Sequence, residues 1–348
     1  MTANATTRAI RSFVRKTKAI DSKLNILTFT AHERYESNLC KTGHNFYAFN
    51  PGQGSKTWDT DYAAIPENYH IIDEIPDYID FDLVLAHTID DRFQIAYATL
   101  CQMTSIEKNK LPIPVLYHVH VLPDVRFNVE EQVKYMHSAP IDQTSFIFDY
   151  NRAAWGHSKD TAKVIEHGID TDFWKPLNLD RENVCLSVVN DWPNRDWCCG
   201  WELWKNTIGI GTQNQLPISV WGKSPGLSEA ASDVEHLRKI YSSSKIFYNT
   251  SLHSPVPTVL MEAMACGCAI VSTNNCAIPS LIKHGENGLL SNDPNELRGY
   301  LELLLQNDAM AEQLGEQARN TIVNEYSVSR FIENWNDLIY STVANYRN

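Results

Sequence analysis

The stretch Ser254-Pro255-Val256-Pro257-Thr258-Val259-Leu260-Met261-Glu262-Ala263-Met264-Ala265-Cys266-Gly267 limits the possible folds more than any other part of the chain. Proline is tolerated at or just before a helix start and glycine just past its end, so the spacing predicts a helix opening near Thr258 and stopping at Gly267. The apolar run Cys268–Thr273 follows at once and predicts a buried strand. That order leaves a helix N-terminus facing a crevice, with Glu262 one turn inside on the same face as Thr258. Unsatisfied N–H groups and the positive end of the helix dipole suit a phosphate there. A carboxylate one turn behind suits a ribose diol. From these residues alone, an ordinary βαβ helix with a solvated Glu262 stands equally open.

The rest of the chain alternates. Strands are predicted at Asn25–Thr30, Asn45–Phe49, Phe81–His87 and Ile113–His120, with helices at Glu33–Lys41 and Phe93–Met103 and a loop over 50–70. Strands at Phe146–Tyr150 and Ala162–Glu166 continue the pattern. A turn-rich connector, Gly168–Pro176, precedes a second alternating set: strands at Val184–Val189, Ile218–Gly222 and Lys245–Asn249, and a helix at Trp197–Thr207. Apolar residues at helical spacing mark three closing helices, the last through Phe331, Trp335, Leu338 and Ile339. Strands alternating with helices imply parallel, doubly wound sheets with ligands at the strand carboxyl ends. His87 and His120 sit at such ends, where lining a site and packing in a core are equally open.

Composition narrows the function classes. No run approaches 18 apolar residues, which predicts no membrane span. A net charge of −12 disfavours a nucleic-acid-coating surface. Residues 1–23 depart from this: six basic residues against Asp21 give +5, leaving −17 elsewhere. This arm reads as a tail, a packed leading helix, a surface-binding segment or a transit peptide. The eight cysteines include no C-x-x-C pair, which disfavours a disulfide framework or zinc site and fits a cytoplasmic setting, with peripheral membrane attachment left open.

Several stretches, in order, resemble the retaining glycosyltransferases of the GT-B fold, the glycogen-synthase-like and lipid-mannosyltransferase-like class. His167-Gly168-Ile169-Asp170-Thr171-Asp172-Phe173 is similar to the N-G-I-D-x-x-x-F connector, and Glu262-Ala263-Met264-Ala265-Cys266-Gly267 to the E-A-M-A-x-G donor helix. Ala269–Thr273, Lys283–Leu290 and Tyr326-Ser327 with Trp335 resemble the segments that follow. The resemblance implies an α/β fold of two Rossmann-like doubly wound domains facing a cleft: a basic arm over 1–23, an acceptor domain over 24–167, a connector over 168–180, a donor domain over 181–328, and a helix over 329–348 returning to the first domain.

Carried over position by position, the resemblance makes Glu262 the ribose ligand and puts the diphosphate at the Thr258 and Val259 amides. The first glutamate of the family's E-x7-E pair falls on Ser254, which is shorter and neutral. In the family's basic pair the arginine position is Asn190 and the lysine position Arg195. Arg195 suits a diphosphate in bidentate fashion and, with His120 near the donor sugar, is the expected catalytic residue. His32, Arg34 and His87 fall on the acceptor side, where His32-Glu33-Arg34-Tyr35 replaces a glycine-rich loop. Two D-x-D strings, Asp59-Thr60-Asp61 and Asp170-Thr171-Asp172, are discounted as metal ligands, the first as part of a polar loop and the second as part of the connector.

The implied reaction moves a glycosyl group from a UDP- or GDP-linked sugar to an acceptor hydroxyl with retention, without metal or other cofactor. The expected acceptor is a glycan, lipid or small molecule; modified DNA stays open, as does contact of residues 1–20 with an anionic surface. A degenerate GT-B binding or regulatory subunit is the main rival, and a sugar-nucleotide epimerase on the same fold another.

Overall fold

The structure, a computed structural model, describes residues 22–52, 54–104 and 111–347. The basic stretch 1–20 lies outside the described residues. Two compact units divide the chain: one runs to Glu166 and resumes at Phe331, and the other spans His167–Arg330.

The first unit is built on a seven-stranded parallel sheet. Its strands are β1 (Asn25–Thr28), β2 (Asn45–Phe49), β3 (Tyr69–Ile72), β4 (Leu83–Ala86), β5 (Val115–Val119), β6 (Gln143–Phe146) and β7 (Ala162–Val164), in the order β3-β2-β1-β4-β5-β6-β7. Period-two alternation sends their side chains to two cores. Leu27, Val84, Ala86, Val115, Tyr117 and Val119 meet Phe93, Ala96 and Leu100 of helix α2 (Asp91–Thr104) and Met136 of α3 (Val129–Ser138). Ile26, Leu83, Leu85 and Leu116 face the other way, onto Tyr35 and Leu39 of α1 (Glu33–Cys40). The closing helix α12 (Val328–Arg347) packs on this second face through Phe331, Trp335, Leu338, Ile339 and Val343. Its last turn is pinned by Arg347 on the buried Asp82 (3.1 Å) and by the Tyr346 hydroxyl donating to Leu111 O (2.5 Å).

The second unit has five parallel strands, β8 (Glu182–Val188), β9 (Ile218–Trp221), β10 (Ser244–Asn249), β11 (Ala269–Ser272) and β12 (Leu289–Leu290), in the order β12-β11-β10-β8-β9. Helices α6 (Trp201–Ile208), α10 (Pro294–Gln306) and α11 (Asp308–Glu325) cover one face, burying Trp204, Ile208, Leu297, Leu301, Leu304 and Leu314. Helix α8 (Thr258–Ala265) stops where expected: Gly267 is left-handed (φ 75°), and β11 begins two residues later.

Three local expectations are corrected. The strand predicted at Phe146–Tyr150 ends at Phe146, and Asp149–Ala154 is a short helix (α4). The helix predicted over Trp197–Thr207 is broken by left-handed Gly200 into α5 (Asp196–Cys199) and α6. The predicted loop over 50–70 contains the start of β3 at Tyr69, an edge strand of only four residues that straddles the predicted boundary. Helix α7 (Val234–Ser243) was not anticipated.

Candidate functional site

In the second unit β8 and β10 are neighbours, while β9 lies outside β8 and β11 outside β10. Successive connections therefore leave this pair toward opposite sides, which opens a crevice at their carboxyl ends. The loop after β8 brings Asn190 and Arg195 there, and the loop after β10 brings Ser254 and the start of α8.

The β8 loop is held by ladder-like bonds to the end of β9. Val189 N donates to Trp221 O and Asp191 N to Lys223 O (both 2.9 Å), and Lys223 N donates to Asn190 Oδ1 (2.8 Å). The Asn190 amide thus stands in for a strand residue, and its side-chain oxygen is occupied. Asp191 is left-handed (φ 50°), a conformation an aspartate tolerates, and its carboxylate accepts from Asn194 Nδ2 (2.8 Å). The turn that follows presents Arg195 exposed, its guanidinium reaching Asn190 O (3.3 Å). Lys223, also exposed, brings a second cation to this edge, one the sequence reading missed.

The β10 loop is anchored to α5. Leu252 N (2.8 Å) and His253 N (3.1 Å) donate to Cys198 O, and Thr250 Oγ1 donates to Cys199 O (2.8 Å). Gly200 makes this approach possible: a Cβ there would stand 2.2 Å from Thr250 O. Pro257 caps α8 with its backbone alone, and among the described residues no side chain caps that N-terminus. Thr258, Val259 and Ser254 are half-exposed. Glu262 is 1% exposed and accepts from the Tyr241 hydroxyl (3.2 Å). It is therefore a buried, hydrogen-bonded carboxylate and not a solvated one.

The first unit gathers a different group. Strand alternation puts His87 on the same face as Leu83 and Leu85, and His118 and His120 on the face of Leu116, all toward α1 and α12. The buried Tyr35 of α1 lies among them. Trp335 Nε1 donates to the Tyr35 hydroxyl (3.0 Å), which pairs with His118 Nε2 (2.7 Å); His118 Nδ1 pairs with Ser145 Oγ (2.8 Å). Burial holds the Tyr35 phenol well above its ordinary pKa. His87 Nδ1 lies 3.0 Å from His120 Nε2. His87 is buried, and burial lowers its pKa to about 3, so it is neutral; His120 is half-exposed in front of it. The His32 ring centroid lies 4.6 Å from that of His120. His32 is exposed at its edge, and enclosure by surrounding atoms, then the Lys56 ammonium, lowers its pKa. Arg34 is half-buried in the first turn of α1.

The turn that carries His32 is clamped from three sides. Glu36 Oε1 accepts from Ala31 N (2.7 Å) and His32 N (2.8 Å), and Oε2 accepts from the Tyr69 hydroxyl (2.5 Å). Arg92 donates to Thr30 O (3.0 Å), and Lys56 to Ala31 O. Burial raises the Glu36 pKa from 4.5 to about 7, against the lowering effect of its hydrogen bonds. A glutamate-gripped turn occupies the place of the glycine-rich loop. Tyr35, Glu36, His118 and Trp335 were not predicted as members of one cluster. Their partners lie 83 to 300 residues apart for Tyr35, a separation that carries no local signal.

Both D-x-D strings form turns: Asp59 Oδ1 accepts from Asp61 N (3.0 Å), and Asp170 Oδ1 from Asp172 N and Phe173 N (both 3.2 Å). Among the described residues no helix is long and apolar enough to cross a membrane.

Comparison with known proteins matches residues 230–321, from α7 through α11, to the family model "Glycosyl transferases group 1". Over those residues the chain is similar to the glycosyl transferases group 1 family. Among curated relatives, alpha-maltose-1-phosphate synthase of Mycobacterium tuberculosis is 29% identical over 220 residues, 52% of this chain and 57% of that protein. N-acetyl-alpha-D-glucosaminyl L-malate synthase of Bacillus anthracis is 27% identical over 92 residues, 26% of this chain and 24% of its own. The chain thus spans little more than half the length of the first relative. Among solved structures, Anabaena HepE in complex with UDP superposes with a TM-score of 0.67 at 14% identity, covering 93% of this chain and all of that one. Sucrose-phosphate synthase from Thermosynechococcus elongatus gives 0.73 at 15%, covering 93% of this chain and 100% of its own. The fold, two parallel α/β sheets, is GT-B, as the resemblance implied.

Proposed function

We propose that this chain transfers a glycosyl group from a nucleoside diphosphate sugar to an acceptor hydroxyl with retention, without a divalent metal. One observation carries the reading: the crevice between β8 and β10 combines an uncapped α8 N-terminus, the exposed Arg195 guanidinium and the buried, hydrogen-bonded Glu262. Amides at Thr258 and Val259 and the dipole of α8 favour a diphosphate, and Arg195 adds a forked donor for its oxygens. As the glycosidic bond breaks, negative charge grows on the departing phosphate, where these groups stabilise it. Glu262 one turn inside α8 suits the ribose diol, with the Tyr241 hydroxyl holding the carboxylate in place. Asn190 contributes shape through its bond to Lys223, and Ser254 offers a neutral hydroxyl toward the donor sugar. By the family resemblance, His120 takes the donor-sugar position, and His32 and Arg34 the acceptor side. UDP in HepE supports a uridine donor, and its complex with UDP-glucose supports a hexose; GDP-sugars are the alternative. A glycan, lipid or small molecule is the acceptor class.

The test is a donor screen with released nucleotide and product anomer as readouts. Release of UDP or GDP with an α-linked product from an α-linked donor, unchanged in EDTA, is expected. Turnover abolished by EDTA and restored by manganese contradicts the metal-free reading. The occupied Asn190 side chain and the neutral Ser254 also fit a binding subunit that has lost turnover, which predicts nucleotide-sugar binding without release across all acceptors.

A further inference from the structure

We propose that His87 is a positioning residue that fixes the tautomer of His120, donating from its Nδ1 to His120 Nε2 and keeping the His120 proton on Nδ1. What this means in turnover rests on the reading of His120 as a donor-sugar contact; the tautomer itself rests on geometry alone.

The two nitrogens are 3.0 Å apart, so one proton lies between them. If His120 supplied it, a neutral His87 would carry its own proton on Nε2. That atom is fully buried and, among the described residues, has no hydrogen-bond partner. An N–H orphaned in a protein interior is rare and costly, more so than an unshared acceptor lone pair. The reverse arrangement leaves only a bare lone pair on His87 Nε2 and is therefore favoured. Rotation of His120 out of this bond is opposed by its neighbours. Its ring meets those of His32 (4.6 Å), Tyr35 (4.6 Å, edge-on) and His118 (4.8 Å). His118 cannot take over the role of His87, because both its nitrogens are already paired, with Tyr35 and Ser145.

The chemical consequence is specific. With Nε2 accepting from His87 and Nδ1 protonated, His120 has no lone pair left and takes no proton from an acceptor hydroxyl. It serves as a neutral orienting group, and the acceptor proton leaves by another route, in line with transfer to the departing phosphate.

The test is long-range 1H–15N correlation on the full chain labelled with 15N-histidine, with His120 assigned by the signals lost in His120→Asn. The Nδ1–H pattern is expected for His120 in the wild type. His87→Phe removes the donor and should move His120 to the Nε2–H form that free imidazole prefers. His87→Asn, whose amide NH2 reproduces the Nδ1–H donor, should keep the wild-type pattern. Nε2–H or imidazolium at wild-type His120, or an unchanged pattern in folded His87→Phe, overturns the proposal. If the phenylalanine variant does not fold, the wild type and His87→Asn decide: Nδ1–H in both supports the proposal, and Nε2–H in either overturns it. In turnover, kcat should fall about tenfold in His87→Phe, with donor KM within about twofold and rescue in His87→Asn. Absence of transferase activity in the wild type would count against the proposed function and leave the spectroscopic result standing.

Discussion

At the residue scale two side chains carry separable predictions. Arg195 is exposed and makes one long bond to Asn190 O, so the fold owes it little. Arg195→Ala should leave the thermal midpoint unchanged and lower kcat/KM about 10- to 100-fold, the scale of one charge-assisted contact to a transition-state phosphate. Steady-state kinetics beside a melting curve checks both halves. Glu36 is the reverse case, a residue of the fold. Its folded-state pKa, about 7, lies above its ordinary 4.5, so between those values the native state holds a proton that the unfolded chain has released. Its contribution is fully present below about pH 4.5 and is lost as pH rises toward 7, up to about 3 kcal/mol. His87 acts oppositely between about pH 3 and 6.5 and is common to wild type and variant, so their difference isolates Glu36. Glu36→Gln keeps an acceptor for the Ala31 and His32 amides and should gain stability relative to wild type as pH rises from 4.5 to 7. Urea midpoints at several pH values test this, and a difference independent of pH contradicts it.

At the element scale the crevice depends on two loops packed without room to spare. Gly200 is left-handed (φ 66°), and a Cβ would meet Thr250 O at 2.2 Å, a backbone atom that cannot swing away. Gly200→Ala should cost about 2–4 kcal/mol from strain and from displacement of the β10 loop, and should weaken nucleotide binding although residue 200 touches no ligand. A denaturation curve with a nucleotide titration checks the pair. Much at this scale was legible in the sequence. Pro257 and Gly267 bracket α8, and apolar runs marked most strands, though not β3, β6 or β12. The break at Gly200 was not legible, because apolar residues continue on both sides and only the close approach of Thr250 forces the left-handed turn. The role of Asn190 was equally hidden: an asparagine in a loop reads as turn chemistry until Lys223 is brought beside it.

At the scale of the whole molecule the closing helix shows what order along the chain cannot. Its periodicity was plain in Phe331, Trp335, Leu338 and Ile339, yet Tyr35, to which Trp335 is bonded, lies 300 residues away. Trp335→Ala should cost about 3–5 kcal/mol, and hydrogen exchange should show lost protection across β1, β4 and β5 with β8, β10 and β11 unchanged. Uniform loss in both units contradicts that partition. The histidine cluster was half legible: His87 and His120 stand at strand ends, whereas His118 and Tyr35 enter only through the α1 and α12 packing. The central claim is that the second unit holds a nucleoside diphosphate at the β8–β10 crevice through α8 and Arg195. Calorimetric titration of UDP and GDP, with EDTA present, tests it most directly. Saturable one-to-one binding of one nucleotide, weakened at least about tenfold in Arg195→Ala, is the predicted result; no binding of either, or equal affinity in the variant, would contradict it.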